Sequence, residues 1–298
     1  MTMTPATEST METPFGEPDV YGQRHPIESL ELIETRLKEL EKELESLVAA
    51  SKETAKTDGW VQAQERCAPE LIDNDFKLLF LRARKFHPKS AAKRIVDYWN
   101  HRIDIFEDER AFLPLTLVGA LREDKVALEI GMAQLTNTQD ATGRTIFFFD
   151  PSKQDKSLYS RKSMGRAFWY VIHAALELES AQQKGVVFVT YGKNTQLSQF
   201  DRSLIGIIAP SIRGSLPIRL AAMHVCYPPL FFNIIFSVIS IFLGDKLRKR
   251  VRMHGGGTKL PSKLAELGLT ADLLPTELDG DIMLDVNKWL EKRRTAGK

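Results

Sequence analysis

Six histidines are the residues most suited to acid–base or metal chemistry in this sequence, and they show no pattern that would let them act together. His87, His101, His173, His224 and His254 are scattered, and His25 falls in the N-terminal stretch; each reads as structural. Cys67 and Cys226 stand far apart without metal-ligand spacing. No metal site or disulfide framework is expected, and a reducing compartment is the default. There is no G-x-S-x-G elbow, P-loop or H-E-x-x-H pattern. Gly255, Gly256 and Gly257 follow a basic segment and open no helix-starting glycine pattern, so they read as a hinge rather than a phosphate cradle. Asp150 before Pro151 reads as a turn or capping residue after a strand. The sequence therefore predicts a non-enzymatic protein with no cofactor.

What stands out is a juxtaposition. Residues 230–243, LFFNIIFSVISIFL, are almost wholly apolar, and Lys246, Arg248, Lys249, Arg250 and Arg252 follow at once against the single acid Asp245. A membrane-spanning helix needs about 20 apolar residues, so this run predicts a buried or interfacial helix. Its apolar side can face a greasy cavity or acyl chains. Its basic flank can meet anionic headgroups at roughly 1 kcal/mol per cation. The competing reading is a core helix followed by a solvated charged segment.

The elements that must position this helix follow from composition and periodicity. The chain has 298 residues, 43% of them hydrophobic, and a net charge of only +2; a large core is affordable and nucleic acid is not an expected partner. Residues 1–27 carry Thr, Glu and Pro without a basic start or apolar run, and predict a disordered tail rather than a targeting signal. Residues 28–110 predict an all-helical region. Leu30, Ile33, Leu37, Leu40, Leu44 and Leu47 form a short heptad seam that packs on its own chain, leaving a monomer; a coiled coil is the alternative. Residues 51–59 predict a polar loop. Residues 111–290 predict the main domain. Strands at 145–149, 186–191 and 219–226 alternate with helices at 163–183, from 203 and at 230–243, which means an α/β fold with a parallel or mixed sheet.

Several segments, in order, carry a resemblance. FLRARKFHPKSAAKRIVDYW (80–99), GRTIFFFDPSKQD, GVVFVTYGKN, LPIRLAAMHVCYPPLFFNIIFSVISIFLGDKLRKRVRMHGG (216–256) and LPTELDGD (274–281) together resemble the CRAL-TRIO lipid-binding family over roughly residues 70–285. The segment FLGDKLRKRVRMHGG is especially similar to the tocopherol- and retinaldehyde-binding branch of that family.

The resemblance implies a CRAL-TRIO fold: a mixed sheet with flanking helices enclosing an apolar pocket, preceded by the helical N-terminal region. It implies binding and membrane-to-membrane transfer of one hydrophobic molecule, such as a tocopherol, retinoid or carotenoid. A mobile gate helix at about 229–243 would cover the pocket. The expected lining is Phe148, Trp169, Ile172, Phe188, Phe232, Ile235, Phe236 and Ile239. Arg219, Lys246, Arg248 and Arg250 match basic positions that contact phosphoinositides on a membrane surface. Cytoplasmic location with transient peripheral membrane association is expected. A phosphoinositide-sensing adaptor or a phospholipid transfer protein is the alternative. Some positions depart from the family pattern. Ala221 replaces a second basic residue, Tyr227 an asparagine, and Asp279 a glycine. Ile218 replaces a glutamate of the phosphatidylinositol-binding branch, which disfavours phosphatidylinositol as the enclosed ligand.

Overall fold

The computed structural model of the chain describes residues 12–50, 58–255 and 259–298. The expectations for residues 1–11 of the tail, residues 51–57 of the polar loop and Gly256 and Gly257 of the hinge lie outside the described residues. Helices α1 (Leu30–Ala50), α2 (Asp58–Arg66), α3 (Asn74–Ala83) and α4 (Pro88–Ala111) form the N-terminal layer. Short α5 (Lys125–Glu129) leads into strands β1 (Ala133–Gln139) and β2 (Thr145–Phe149). Then come α6 (Arg161–Ala175), α7 (Glu179–Lys184), β3 (Val186–Tyr191), α8 (Arg202–Pro210), β4 (Leu220–Cys226), α9 (Phe232–Arg248), β5 (Val251–His254), α10 (Leu260–Ala265) and α11 (Val286–Thr295).

The five strands form one sheet in the order β1-β2-β3-β4-β5. β1 runs antiparallel to β2, and β2 to β5 are parallel. The sheet is therefore mixed, as expected, and both of its faces must be covered. On one face Ile146, Phe148, Val187, Val189 and Cys226 pack against Leu260, Leu264, Leu269, Leu274 and Leu278 of the C-terminal segment. On the other, Phe147, Phe188 and Leu220 join a single core with Trp60, Tyr98, Trp99 and Trp169. The helical layer and the sheet thus share their hydrophobic interior.

The polar residues at helix starts act as caps. Asp73, Ser160, Asp201 and Asp285 accept the backbone N–H of Phe76, Ser163, Leu204 and Lys288, satisfying donors that a helix leaves open. α1 packs on α4 and α3 through Leu32, Leu40 and Leu44, whereas Leu30 of the predicted seam is 81% exposed. The helix expected at 163–183 is two helices, α6 and α7, broken at Leu176 to Leu178.

The described part of the predicted tail is ordered. Phe15 pairs with Pro26 across a β-bridge, and Asp19 bonds Arg144 and, at 2.6 Å, His25. Gln23 donates to the Ala221 carbonyl at 2.9 Å, where β4 bulges and β5 does not reach. A buried carbonyl there would otherwise lack a donor, so a stretch that looks disordered in composition completes a strand edge. The histidines also meet. His224 Nδ1 lies 2.9 Å from His254 Nε2, and Tyr21 Oη lies 3.0 Å from His224 Nε2, because β4 and β5 run side by side.

Burial, then the neighbouring His254, pushes the His224 pKa down to about 3; burial, then Arg102, does the same to His173. The unfolded-state value is about 6.5. Both rings are neutral when folded and bind a proton on unfolding, so stability is complete above about pH 6.5 and falls as the pH drops toward 3. We expect Tm to decline between pH 7 and pH 4, and His224→Asn to flatten that slope whatever it does to Tm at pH 7. An equal slope in wild type and variant would rule out a neutral His224.

Candidate functional site

A cavity of about 190 Å³ lies between the sheet and helices α6, α8 and α9. Its floor is the alternate strand residues Phe149, Phe188, Thr190, Met223 and Val225. Its walls are Phe168 of α6, Leu204, Ile205 and Ile208 of α8, and Phe232, Ile235, Phe236, Ile239 and Leu243 of α9. The strand period of two decides membership: Phe147, Phe149, Phe188 and Thr190 take the cavity side, while Ile146, Phe148, Val187 and Val189 enter the opposite core.

Of the expected lining residues, Phe188, Phe232, Ile235, Phe236 and Ile239 lie on this wall. Phe148 does not. The run Thr145–Phe149 is apolar on both sides, so its phase is invisible in the sequence, and a slip of one residue changes the face. Trp169 and Ile172 are also placed elsewhere. Trp169 turns to the helical layer, with its ring 5.1 Å from Tyr98 and 5.9 Å from Phe106, and donates to Ser211 Oγ at 2.9 Å. Ile172 is fully buried in that same core. Helix α6 is buried nearly all round, so periodicity could not tell which face meets the cavity; Phe168 is the residue that does.

Helix α9 differs from an ordinary amphipathic helix. Only Ile235 and Leu243 are fully buried. Ile234 and Ile241 are 75% and 72% exposed, and Leu230 at its start is 100% exposed. One side of α9 closes the cavity and the other offers apolar side chains to the surroundings. Gly244, at φ 70°, breaks the helical path, so the basic last turn diverges from the apolar part. Among the described residues no helix is long and apolar enough to cross a membrane.

The four expected basic residues fall into two groups. Arg219 and Arg250 lie together with Lys85, which stands at the turn between α3 and α4. Burial, then Arg144, holds Arg219 down to about 10; burial, then Arg219 and Arg250, lowers Lys85. The Arg219 Nε is buried without a partner. Arg250 donates to the Leu220 carbonyl. Lys246 and Arg248 are exposed on the last turn of α9, and Arg248 pairs with Asp245 at 3.0 Å. Lys246 and Arg250 do not share one helix face, because α9 ends at Arg248 and Arg250 leads into β5. Lys85 belongs to the cluster through the fold alone.

A family description, CRAL/TRIO domain, matches residues 131–280. The chain belongs to the CRAL/TRIO domain family. Clavesin-2 of Homo sapiens is 28% identical over 224 residues, covering 73% of this chain and 65% of clavesin-2. Clavesin-1 of Xenopus laevis is 27% identical, covering 73% of this chain and 64% of its own length. The chain thus spans slightly less than two thirds of these relatives. A solved structure described as "Crystal structure of Sfh5" superposes with a TM-score of 0.52 at 13% identity, covering 88% of this chain and 98% of that one, and shares the fold. Two departures from the family pattern meet in space: Tyr227 and Asp279 adopt left-handed conformations, φ 52° and 58°, and the Tyr227 hydroxyl donates to Asp279 Oδ2 at 3.3 Å.

Filling the cavity tests its role. Ile239→Trp places an indole where ligand would lie and costs about 1–3 kcal/mol in overpacking. We expect the variant to keep its circular dichroism spectrum and to lose lipid that co-purifies with wild type, as read by native mass spectrometry. Undiminished lipid occupancy in a folded variant would place binding elsewhere.

Proposed function

We propose that the protein carries one hydrophobic molecule between membranes and performs no chemistry on it. The observation that carries this reading is α9, apolar both toward the cavity and toward solvent. A bilayer competes with the cavity for ligand on equal terms, so transfer needs an exit whose barrier falls at the membrane. Opening α9 in water exposes apolar surface at about 25 cal/mol per Å². At a bilayer the same surface enters lipid, and Leu230, Ile234 and Ile241 are already outward to begin the contact. The differential affinity of the open state for the membrane is what shifts the equilibrium.

Binding without catalysis is supported by the ionisable group on the wall. Asp201 caps α8 and pairs with Arg161 at 3.0 Å, which leaves it no free role as a base. The cations support transient contact with an anionic surface, including phosphoinositides. Lys85, Arg219 and Arg250 are crowded, and a polyanionic headgroup would relieve their mutual repulsion, while exposed Lys246 extends the positive surface. Tocols, retinoids and carotenoids are the ligand types that the resemblance to the tocopherol- and retinaldehyde-binding branch suggests. A monomer is the state in which we expect the protein to act.

Three outcomes are expected in vesicle experiments. Ile234→Asp with Ile241→Asp slows lipid transfer between vesicles at least tenfold without emptying the cavity. Arg219→Gln with Lys246→Gln weakens binding to phosphoinositide-containing vesicles by about 2 kcal/mol. Wild-type binding weakens with salt as the Debye length falls below about 10 Å. Vesicle binding with no ligand movement in wild type would favour a phosphoinositide-sensing adaptor.

A further inference from the structure

The cavity is apolar except at one end, and at that end the fold leaves polar atoms without partners. Gln154 follows β2 and Thr195 follows β3; both line the cavity. Gln154 Nε2 and Thr195 Oγ1 are buried and, among the described residues, have no partner in hydrogen-bond geometry. Next to the Gln154 amide stands Tyr159. Burial raises the phenol's pKa against the pull of that amide, so it remains neutral, and its hydroxyl also lacks a partner in hydrogen-bond geometry. The rest of the turn is satisfied. Gln199 donates to the Ser152 and Gln154 carbonyls at 2.5 and 3.3 Å and accepts from Gln196 N–H at 2.8 Å. Native folds rarely leave buried polar groups unmade, and each such group calls for an explanation.

These atoms lie at the carboxyl ends of parallel strands, the place where open α/β sheets bind ligands. The cation cluster is at the other end: Arg219 directly precedes β4, and Arg250 bonds the Leu220 carbonyl at that strand's start. Among the described residues no Lys, Arg or His lines the cavity, while Asp201 does. A phosphate or carboxylate held beside Gln154 would be buried without a counter-charge and next to a carboxylate, which is strongly unfavourable. A hydroxyl or carbonyl would meet the Gln154 amide and the Thr195 hydroxyl, which can donate or accept.

We infer that the enclosed ligand is a neutral, single-headed lipid whose hydroxyl or carbonyl is held at the Gln154 and Thr195 end, with its hydrocarbon running toward Leu243. This rests on the proposal that the cavity holds a lipid, and it excludes an anionic headgroup from the interior while leaving one to the external cations.

The test uses four fluorescent probes with the full chain: a pyrenyl long-chain alcohol, the matching pyrenyl alkane, pyrenyl phosphatidylcholine and pyrenyl phosphatidic acid. Wild type should bind the alcohol about tenfold more tightly than the alkane, the worth of roughly one net hydrogen bond, and should bind neither phospholipid as well. Gln154→Leu with Thr195→Val should bind the alkane at least as well as wild type does and lose the preference for the alcohol. The ligand-free double variant should also melt no lower than wild type, because it removes unpaired groups; a purely structural role would lower Tm. Equal wild-type affinity for alcohol and alkane, retained preference in the double variant, or tighter binding of either phospholipid overturns the inference. Failure of wild type to bind any of the four overturns the parent proposal instead.

Discussion

The structure depends on covering a sheet whose central strands are apolar on both faces. A parallel sheet cannot turn one side to water when Phe147 and Phe148, or Phe188 and Val189, point to opposite sides. The C-terminal leucines, with Tyr21 against them, close one face fully. The other face is closed by the helical layer and by α6, α8 and α9, and there the cover is incomplete. Interiors pack at near-crystalline density, so a cavity of about 190 Å³ lined by Phe, Ile and Met is a specific departure.

The incomplete face is closed by an element that gains little from being there. α9 buries Ile235 and Leu243 and leaves Ile234 and Ile241 exposed, so its attachment rests on few fully buried side chains. By contrast α6 is locked by buried groups. Arg166 donates twice to Asp124, at 2.7 and 2.8 Å, and once to the Ile105 carbonyl. The α6 and α9 walls of the cavity thus differ in burial and in charge pairing.

Charge is arranged along the strand direction. At the amino ends of the strands, Arg144 is matched by Asp140 and Asp19, while Arg219 and Lys85 repel each other and feel Asp19 only at a distance. At the carboxyl ends, the amide of Gln154 and the hydroxyl of Thr195 sit with the Arg161-paired carboxylate of Asp201 on the cavity wall. The two ends of the sheet therefore carry different chemistry. The ordered N-terminal segment belongs to the first end, where Asp19 and Gln23 tie it to Arg144 and β4.

The sequence by itself determined the strands Thr145–Phe149 and Val186–Tyr191, the helical character of the N-terminal region, and the apolar helix with its basic flank, because these depend on local composition and period. It could not assign the phase of β2, since alternation carries no signal when both faces are apolar, and so Phe148 was placed in the cavity instead of Phe149. Nor could it orient α6, where Phe168 rather than Trp169 faces the cavity, because a helix buried all round has no polar face to mark the outside. Polar β1 and short β5 lacked the strand pattern and exist through pairing. The meeting of His224 with His254, of Lys85 with Arg219, and of Asp19 with Arg144 is set by chain segments far apart in sequence. Those contacts are properties of strand order and helix packing, which only the tertiary structure decides.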